Sequence, residues 1–281
     1  MSTSATRYWR ETVLLLVLVA PLLVLLAGDP IAQDARLINY ADNRMFLGVR
    51  NFFDVVSNLA FLLVGLAGLF TGTARNGASR SWLVAFLGTA LVCFGSGYYH
   101  WAPDSERLVW DRLPMTLAFM GVSVALLSEH LGERLERLLL APALIAGIAS
   151  VLWWHYTDDL RFYIWVQLAP FLAILVVVFA FPGRYTHRAY LLYGLALYTL
   201  AKISEGYDGE IYSLTARSLS GHTLKHLLAA GAVLILYLML VRRAPLPGQP
   251  VQDPGGEFAL KPGALGALMP TEAGSSRPRR R

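Results

Sequence analysis

Hydrophobic residues in this chain run in long blocks, separated by short polar stretches. Because the hydrocarbon core of a bilayer is about 30 Å thick, a helix needs roughly 20 apolar residues to cross it. Eight blocks meet or approach that length, at residues 13–28, 52–73, 82–100, 108–128, 138–154, 161–181, 188–204 and 222–241. None shows the ten-residue alternation of a membrane β-barrel. The pattern predicts an all-α, polytopic transmembrane helical bundle, with a seven-helix core and an additional N-terminal hydrophobic helix.

Composition agrees with this class. The chain has 281 residues, of which 56% are hydrophobic and only 15% charged, so it is too apolar for an ordinary soluble domain. Its single cysteine, Cys93, lies inside an apolar block, and a lone cysteine excludes an intramolecular disulfide.

The chain divides into three parts. Residues 1–30 hold the first block, "VLLLVLVAPLLVLLAG", which is short, contains a proline and follows two arginines. Such a segment is typical of either a signal sequence or an anchor helix, and we favour an anchor because no small-x-small cleavage site follows at once. Residues 31–243 form the predicted seven-helix membrane domain. Residues 244–281 are rich in Pro and Gly, and we expect a disordered cytoplasmic tail there.

Basic residues concentrate on one predicted side of the membrane. If the N-terminus is cytoplasmic, that side receives Arg75, Arg80, Arg134, Arg137, Arg184, Arg188, Arg242, Arg243 and the terminal RPRRR. The opposite loops hold most of the acidic residues. This positive-inside pattern predicts that both termini are cytoplasmic if the first helix is retained. It also accounts for the net charge of +5, so no nucleic-acid partner is expected.

Three of the six histidines are predicted at the same membrane depth. His100 ends the third block, and His222 and His226 begin the last, both on the extracytoplasmic side. Residues four apart share a helix face, about 6 Å apart along its axis, so the pair can reach one ion. Three histidines with an open water position form a common catalytic zinc arrangement. The sequence therefore predicts a zinc site at this end of the bundle.

The other three histidines receive simpler interpretations. His130 and His187 lie beside arginines in predicted cytoplasmic loops, where they would be solvated. His155 follows two tryptophans at the end of its block and precedes a tyrosine, which is typical of an interfacial aromatic belt.

Two further polar residues accompany the histidines. Ser96 lies one turn before His100, and Asp111 lies eleven residues after it, across a short loop that predicts an antiparallel hairpin. Polar side chains are costly in a membrane and are candidates for function. Two alternatives stay open: Ser96 could bond its own helix backbone, and Asp111 could pair with Arg107 or Arg112 at a helix start.

The order S-x3-H, then Asp, then a distant H-x3-H is carried by "GSGYYHWAPDSERLVWDRLPM" and "SGHTLKHLLAA". It resembles the alkaline ceramidases and, more broadly, the CREST superfamily of membrane-embedded metal hydrolases. The stretch "DVVSNLAFLLVG" is similar to the first core helix of that family, so the resemblance covers roughly residues 40–243.

This resemblance implies a zinc-dependent hydrolase that cleaves the amide bond of an N-acyl lipid to a fatty acid and a lipid amine. The zinc ligands would be His100, His222 and His226. With zinc to activate water, Asp111 would move the proton and Ser96 would stabilise the oxyanion. The substrate would enter from the bilayer, and no obligate protein partner is expected.

Other functions remain open. The CREST relatives include the progestin and adipoQ receptors, so a seven-helix receptor with a structural zinc site is the main alternative. A retinal protein would need Lys202 or Lys225 as its Schiff-base lysine. Lys225 lies too near the helix end for that role, and Lys202 has Glu205 as a nearby ion-pair partner.

A calcium site is not expected. Animal alkaline ceramidases are similar to one another in an acidic calcium-binding segment before the first core helix, and calcium prefers six or more oxygen ligands. The corresponding region here offers Asp42 and Asn43 but few other carboxylates, with Asn51 where a glutamate would be expected. We interpret Asp42 and Asn43 as a helix cap or a loop turn.

Overall fold

The computed structural model describes residues 9–34, 39–72 and 79–246. Every regular element within those ranges is a helix. The first four are α1 (Trp9–Ala27), α2 (Phe52–Ser57), α3 (Leu59–Ala67, continued by a π-helical turn at Gly68–Gly72) and α4 (Arg80–Trp101). The others are α5 (Ser105–Leu131), α6 (Arg134–Thr157), α7 (Arg161–Ala180), α8 (Ala189–Gly206), α9 (Asp208–Leu214) and α10 (Gly221–Arg242).

The all-α prediction is confirmed. Seven helices are long and apolar enough to cross a membrane: α1, the continuous α2–α3 span over Phe52–Phe70, α4, α5, α6, α7 and α10. This indicates an integral membrane protein. The block predicted at 188–204 is helical as well, but α8 contains Lys202, Glu205 and several tyrosines and is not among these seven. The predicted bundle thus has the right helices, with one that is less apolar than expected.

The predicted hairpin of α4 and α5 is present and tightly packed. A Cβ atom added at Gly95 would come within 2.0 Å of the carbonyl oxygen of Trp110, so only glycine allows this approach of the two backbones. The contact lies next to Ser96 on one helix and Asp111 on the other. Close packing here therefore brings these two side chains together.

The last helix closes the bundle. α10 packs along α8 and also contacts α2 and α3, so the last helix of the bundle meets the first core helix. At the start of α10, a Cβ atom on Gly221 would lie 2.2 Å from the carbonyl oxygen of Ser204 in α8. This glycine lets the first turn of α10 approach α8 closely.

The N-terminal helix packs on the outside of α7. Leu14 is buried against Val176 and Phe181, and the indole nitrogen of Trp165 donates to the carbonyl oxygen of Leu18 at 2.7 Å. These contacts suit an anchor helix, although retention of the segment stays a prediction.

The two ends of the bundle differ in charge. At one end α4, α6 and α8 begin and α5, α7 and α10 finish; we call it the arginine end. Its described arginines include those predicted to be cytoplasmic, and Arg75 lies outside the described residues. The opposite end, with the three site histidines, is the histidine end. At the arginine end, Arg243 forms a buried ion pair with Glu129 at 2.8 Å, and Glu129 also accepts from the Trp82 indole at 2.7 Å.

Two expectations need correction at the arginine end. The tail was expected to begin at residue 244, but residues 244–246 pair with the 184–186 segment: Thr186 N donates to Ala244 O and Leu246 N to Arg184 O, each at 2.9 Å. The rest of the predicted tail lies outside the described residues. His130, expected in a solvated loop, lies in the last turn of α5, half-buried, with Nδ1 2.9 Å from Leu126 O. His187 is exposed in a loop as predicted.

Candidate metal centre and catalytic site

The structure brings together the three histidines that the sequence predicts at the same membrane depth. His100 lies in the last turn of α4, whereas His222 and His226 lie in the first two turns of α10. All three are buried, with 1%, 6% and 2% of their surface exposed, and their ligating nitrogens lie within 4.8 Å of one another. This is the group of His, Cys, Asp and Glu side chains among the described residues that could hold a metal ion.

Capping of α10 places its two histidines. The Ser220 hydroxyl accepts from Thr223 N at 2.9 Å, which satisfies a free N–H of the first turn. The Asp208 carboxylate, from the start of α9, accepts from His222 N at 2.7 Å. A carboxylate is favourable at a helix N-terminus because it opposes the helix dipole. The helix therefore begins at Gly221, one residue before His222, and His222 and His226 extend from the same helix face towards His100.

A hydroxyl on the first core helix orients His226. Ser57 Oγ lies 2.7 Å from His226 Nδ1 and donates to Asp54 O at 3.0 Å. This contact engages Nδ1 of His226, and which partner donates depends on the imidazole tautomer. The other nitrogen, Nε2, is then free to bind a metal, as is usual for histidine ligands held by a hydrogen bond at the opposite nitrogen.

His100 is held through its backbone. Asn51 has the left-handed conformation, with φ of 50°, and its amide donates to His100 O at 2.9 Å. The Tyr40 ring packs edge-on against His100 and His222, at centroid distances of 4.8 and 4.5 Å. Asn51, which stands where a calcium-binding glutamate would be expected, thus helps to hold the end of α4 in place.

The histidine group is compatible with zinc. His100 Nε2 and His222 Nε2 are 3.2 Å apart, within the roughly 4 Å that two nitrogens bound to one zinc ion allow, and all three ligating nitrogens lie within 4.8 Å of one another. His100 Nδ1 is buried without a hydrogen-bond partner among the described residues. Buried imidazoles left with free nitrogens are costly unless something binds them, and imidazole is a preferred zinc ligand.

Ser96 and Asp111 lie beside this group. Both are buried, and they line the same cavity, across the α4–α5 hairpin from each other, with His226 in its wall as well. Arg107 pairs with Asp104 at 2.6 Å. No described ion pair joins Asp111 to Arg112, the second partner considered from the sequence.

Two cavities adjoin at Asp111. The first, the polar chamber, has a volume of about 290 Å³ and contains His100 and His222 in its wall, together with Tyr40, Tyr99, Arg112 and Tyr163. The second, the apolar cavity, has a volume of about 110 Å³ and extends between the helices past Ser96 and His226 to Trp82 and Leu236. Asp111 and Lys225 line both cavities. The candidate site therefore lies where an apolar space meets a polar one.

Sequence reasoning did not find several neighbours of the site. Lys225 Nζ lies 2.6 Å from Glu205 Oε1, and Glu205 also pairs with Lys202, as predicted for Lys202. Ser57 and Tyr40 contact the histidines, but neither lies in a sequence motif with the spacing of metal ligands. The only available signal was that Lys225 lies between His222 and His226, at the start of a membrane helix.

The region considered for calcium forms a turn. The Asp42 carboxylate accepts from Arg44 N at 3.1 Å and from the Arg44 guanidinium at 2.6 and 2.8 Å. Burial opposes the change, but these hydrogen bonds from Arg44 hold the pKa of Asp42 below its usual value. Asp42 thus has a structural partner, in agreement with the loop-turn interpretation.

The helical bundle and its buried histidine group are those of a helical membrane protein with a candidate metal centre at one end of the bundle. A family model described as Ceramidase matches residues 46–241, which is more than half of the chain. The chain belongs to the ceramidase family, and membership supports a ceramide-hydrolysing enzyme, that is, an amidohydrolase. No curated protein matches the chain.

Proposed function

We propose that this protein is an integral-membrane, zinc-dependent hydrolase that cleaves the amide bond of an N-acyl lipid to a fatty acid and a lipid amine. One observation carries the proposal. Three buried histidines stand beside Asp111 and Ser96 at the junction of an apolar cavity and a polar chamber. This is the arrangement needed to hold an amide between an acyl chain and a polar head.

The imidazoles of His100, His222 and His226 would hold the metal, with Ser57 positioning His226. Zinc bound there supplies Lewis acidity, which polarises a carbonyl and makes water a better nucleophile near neutral pH.

Asp111 is the proposed general base and acid. In amide hydrolysis the oxygen of water forms a bond to the carbonyl carbon while water gives up a proton, which Asp111 accepts. Asp111 then returns this proton to the amide nitrogen as the C–N bond breaks, so that the products are a carboxylic acid and an amine. The Ser96 hydroxyl, one turn from His100, donates a hydrogen bond to the carbonyl oxygen as negative charge develops on it.

The two cavities suggest how the substrate lies. The apolar cavity follows α4 from Ser96 to Trp82, fourteen residues of helix or roughly 21 Å at 1.5 Å per residue. Its aromatic and aliphatic walls suit an acyl chain. The polar chamber, with its tyrosines and charged groups, suits the amine half of the lipid. The lipid enters from the bilayer, and the reaction requires no protein partner.

We place the site on the extracytoplasmic side, because the arginine end carries the basic loops and such loops face the cytoplasm. After replacement of Cys93, a cysteine at Ser105 should react with an impermeant thiol reagent in intact cells, and a cysteine at Glu133 should be protected. Both positions are exposed. The reverse labelling would place the site on the cytoplasmic face.

Turnover decides the activity. Purified protein is incubated with a panel of N-acyl lipids that includes ceramide, and released fatty acid is measured by mass spectrometry. Zinc-dependent release that is lost in Asp111→Asn supports the proposal. If no N-acyl lipid is cleaved although zinc is bound, the enzyme proposal fails and a receptor with a structural zinc site becomes the better explanation.

A further inference from the structure

The guanidinium of Arg112 in the wall of the polar chamber is buried but incompletely satisfied. Arg112 is 8% exposed, and its Nη1 atom has no hydrogen-bond partner among the described residues. Its Nη2 atom donates to the side-chain oxygen of Gln33. The guanidinium carbon lies 3.8 Å from the centroid of the Trp154 ring and 4.8 Å from that of Tyr163.

The rings hold Arg112 in place without neutralising it. Stacking on aromatic faces is favourable for a cation and keeps the planar group in one orientation. A buried charge normally also has an ionic partner, since removal from water costs several kcal/mol. Neither Gln33 nor the two rings supply a negative charge.

Two of the four acidic groups in the chamber wall are engaged elsewhere. Glu205 pairs with Lys202 and Lys225, and Asp208 accepts from the backbone N–H groups of Ala41 and His222. The remaining acids in the chamber wall, Glu210 and Asp111, form no ion pair with Arg112 in the described part of the chain. The chamber thus offers one oriented cation with a free N–H.

We propose that Arg112 binds an oxyanion on the amine half of the substrate, so that the preferred lipids are N-acyl amines that carry a carboxylate or a phosphate. This inference rests on the proposed function and narrows its substrate class. Hydrogen bonds from arginine to a carboxylate or phosphate are charge-assisted and roughly twice as strong as neutral ones.

The position of Arg112 limits where the anion can lie. Arg112 follows Asp111 directly in α5, and both side chains line the polar chamber. Because Asp111 is the proposed proton donor to the amide nitrogen, the anionic group should be separated from that nitrogen by only a few bonds. N-acyl amino acids meet this requirement. The amine half of ceramide carries hydroxyl groups and no charge, so it leaves Arg112 without an ionic partner.

The test compares matched substrates with one acyl chain. N-oleoylglycine carries a carboxylate, N-oleoylethanolamine a neutral hydroxyl, and N-oleoyl-phosphoethanolamine a phosphate. For the unmodified protein, kcat/KM should be at least about tenfold higher for one of the anionic substrates than for the neutral one, as expected for loss of a hydrogen bond to a charged group. The two anionic arms show whether carboxylate or phosphate is preferred.

Arg112→Gln should remove this preference by raising KM for the anionic substrate at least about tenfold, so that kcat/KM for the anionic and neutral lipids becomes similar. Arg112→Lys, which keeps the charge without the planar fork, should retain part of the preference. Arg107→Gln is the matched control, because Arg107 pairs with Asp104 and does not line the chamber, and it should leave the preference unchanged.

A separate binding measurement makes the result independent of turnover. N-oleoylglycine should raise the melting temperature of the unmodified protein more than N-oleoylethanolamine does, and Arg112→Lys should reduce the difference. Equal kcat/KM values for anionic and neutral substrates, with equal thermal shifts, would overturn the assignment of Arg112 while amide hydrolysis itself stands. If no lipid is hydrolysed, the proposed function fails, and the thermal shifts alone decide whether Arg112 binds an anion. If Arg112→Gln does not fold, the thermal shifts of the unmodified protein and of Arg112→Lys decide the question instead.

Discussion

The hydroxyl oxygen of Ser57 lies 2.7 Å from Nδ1 of His226, although the two residues are 169 positions apart. The contact joins the first core helix to the last and sets which imidazole nitrogen faces the other histidines. Hydrogen bonds of this kind fix the tautomer and the ring orientation of a metal-binding histidine, and they raise its affinity for the metal.

Ser57→Ala should therefore weaken zinc binding without removing a ligand. We expect the zinc affinity to fall roughly 10- to 100-fold, the usual effect of losing such a partner. Competition with a chromogenic chelator measures it. Ser150→Ala is the matched control, since Ser150 is also buried but bonds to Gly147 O of its own helix and lines neither the polar chamber nor the apolar cavity. Equal zinc affinities of the two variants would show that Ser57 does not position His226.

Loss of the histidine ligands should remove the metal. The purified protein is expected to hold about one zinc ion per chain, in a site of three histidines. His222→Ala and His226→Ala should each lose most of it while the protein still inserts in membranes, and metal content is measured by mass spectrometry. His187→Ala, at an exposed loop position, should keep its zinc. Full occupancy in the double variant His222→Ala/His226→Ala would exclude this site.

Stability should depend on Asp159 in a defined range of pH. Hydrogen bonds from the Arg161 side chain, against the smaller opposing effect of burial, lower the pKa of Asp159 below its usual value. The carboxylate also accepts from Ile31 N and Trp153 Nε1, so it ties the α6–α7 turn to the segment after α1. A lowered pKa in the folded state means that the contribution is complete above the unfolded-state pKa, about 3.9, and is lost as the pH falls below it.

Asp159→Asn should accordingly lower the melting temperature in detergent micelles by the same amount at pH 7 and at pH 5. Below about pH 4 the difference from the unmodified protein should shrink, because Asp159 then becomes protonated in the unfolded chain. Asp158→Asn, an exposed neighbour with one hydrogen bond to Gln33 N, should have a smaller effect. A difference that grows as the pH falls would contradict this assignment.

Trp82 should limit the length of the acyl chain. Its side chain lines the part of the apolar cavity farthest along α4 from Ser96, and its indole is held by the hydrogen bond to Glu129, which pairs with Arg243. Trp82→Ala should shift the preferred substrates towards longer acyl chains, measured as kcat/KM over a series of N-acyl lipids. The substitution also removes core packing, at a cost of about 3–5 kcal/mol in stability.

Trp82→Phe provides the control for that prediction. It keeps most of the aromatic volume and loses the hydrogen bond to Glu129, so it should change stability more than chain-length preference. If Trp82→Ala folds and its profile over acyl length matches that of the unmodified protein, the floor of the acyl site lies elsewhere.

The fold was predictable because its signals are local. The long apolar blocks and the short "WAPDSER" loop specify the long helices and the α4–α5 hairpin, and the ends of these long helices could be read within a few residues; the short helix α9 was not predicted. α8 differs because Lys202 and Glu205 satisfy each other and Lys225 within the bundle. Such pairing lowers the cost of burying charge, and the partners come from two helices, so hydropathy alone gives no sign of it.

The site was predictable only in part. His222 and His226 share a helix face, and His100 lies at a block end, so spacing and depth together bring them close. Ser57 and Arg112 depend on contacts between distant segments. A serine in an apolar block most often bonds its own helix, and an arginine near a helix start is most often solvated. Their roles appear only when the helices are packed.

The last prediction separates proton transfer from metal binding at Asp111. Asp111→Asn keeps the shape of the side chain, but it cannot accept a proton from water. Loss of a carboxylate that moves protons lowers the rate roughly 10²- to 10⁴-fold. We expect this variant to retain its zinc and its melting temperature while hydrolysis of N-acyl lipids falls at least about a hundredfold. Ser96→Ala should show a smaller loss, because the metal still polarises the carbonyl. Hydrolysis at the unmodified rate by Asp111→Asn would reduce Asp111 to a structural carboxylate at the start of α5.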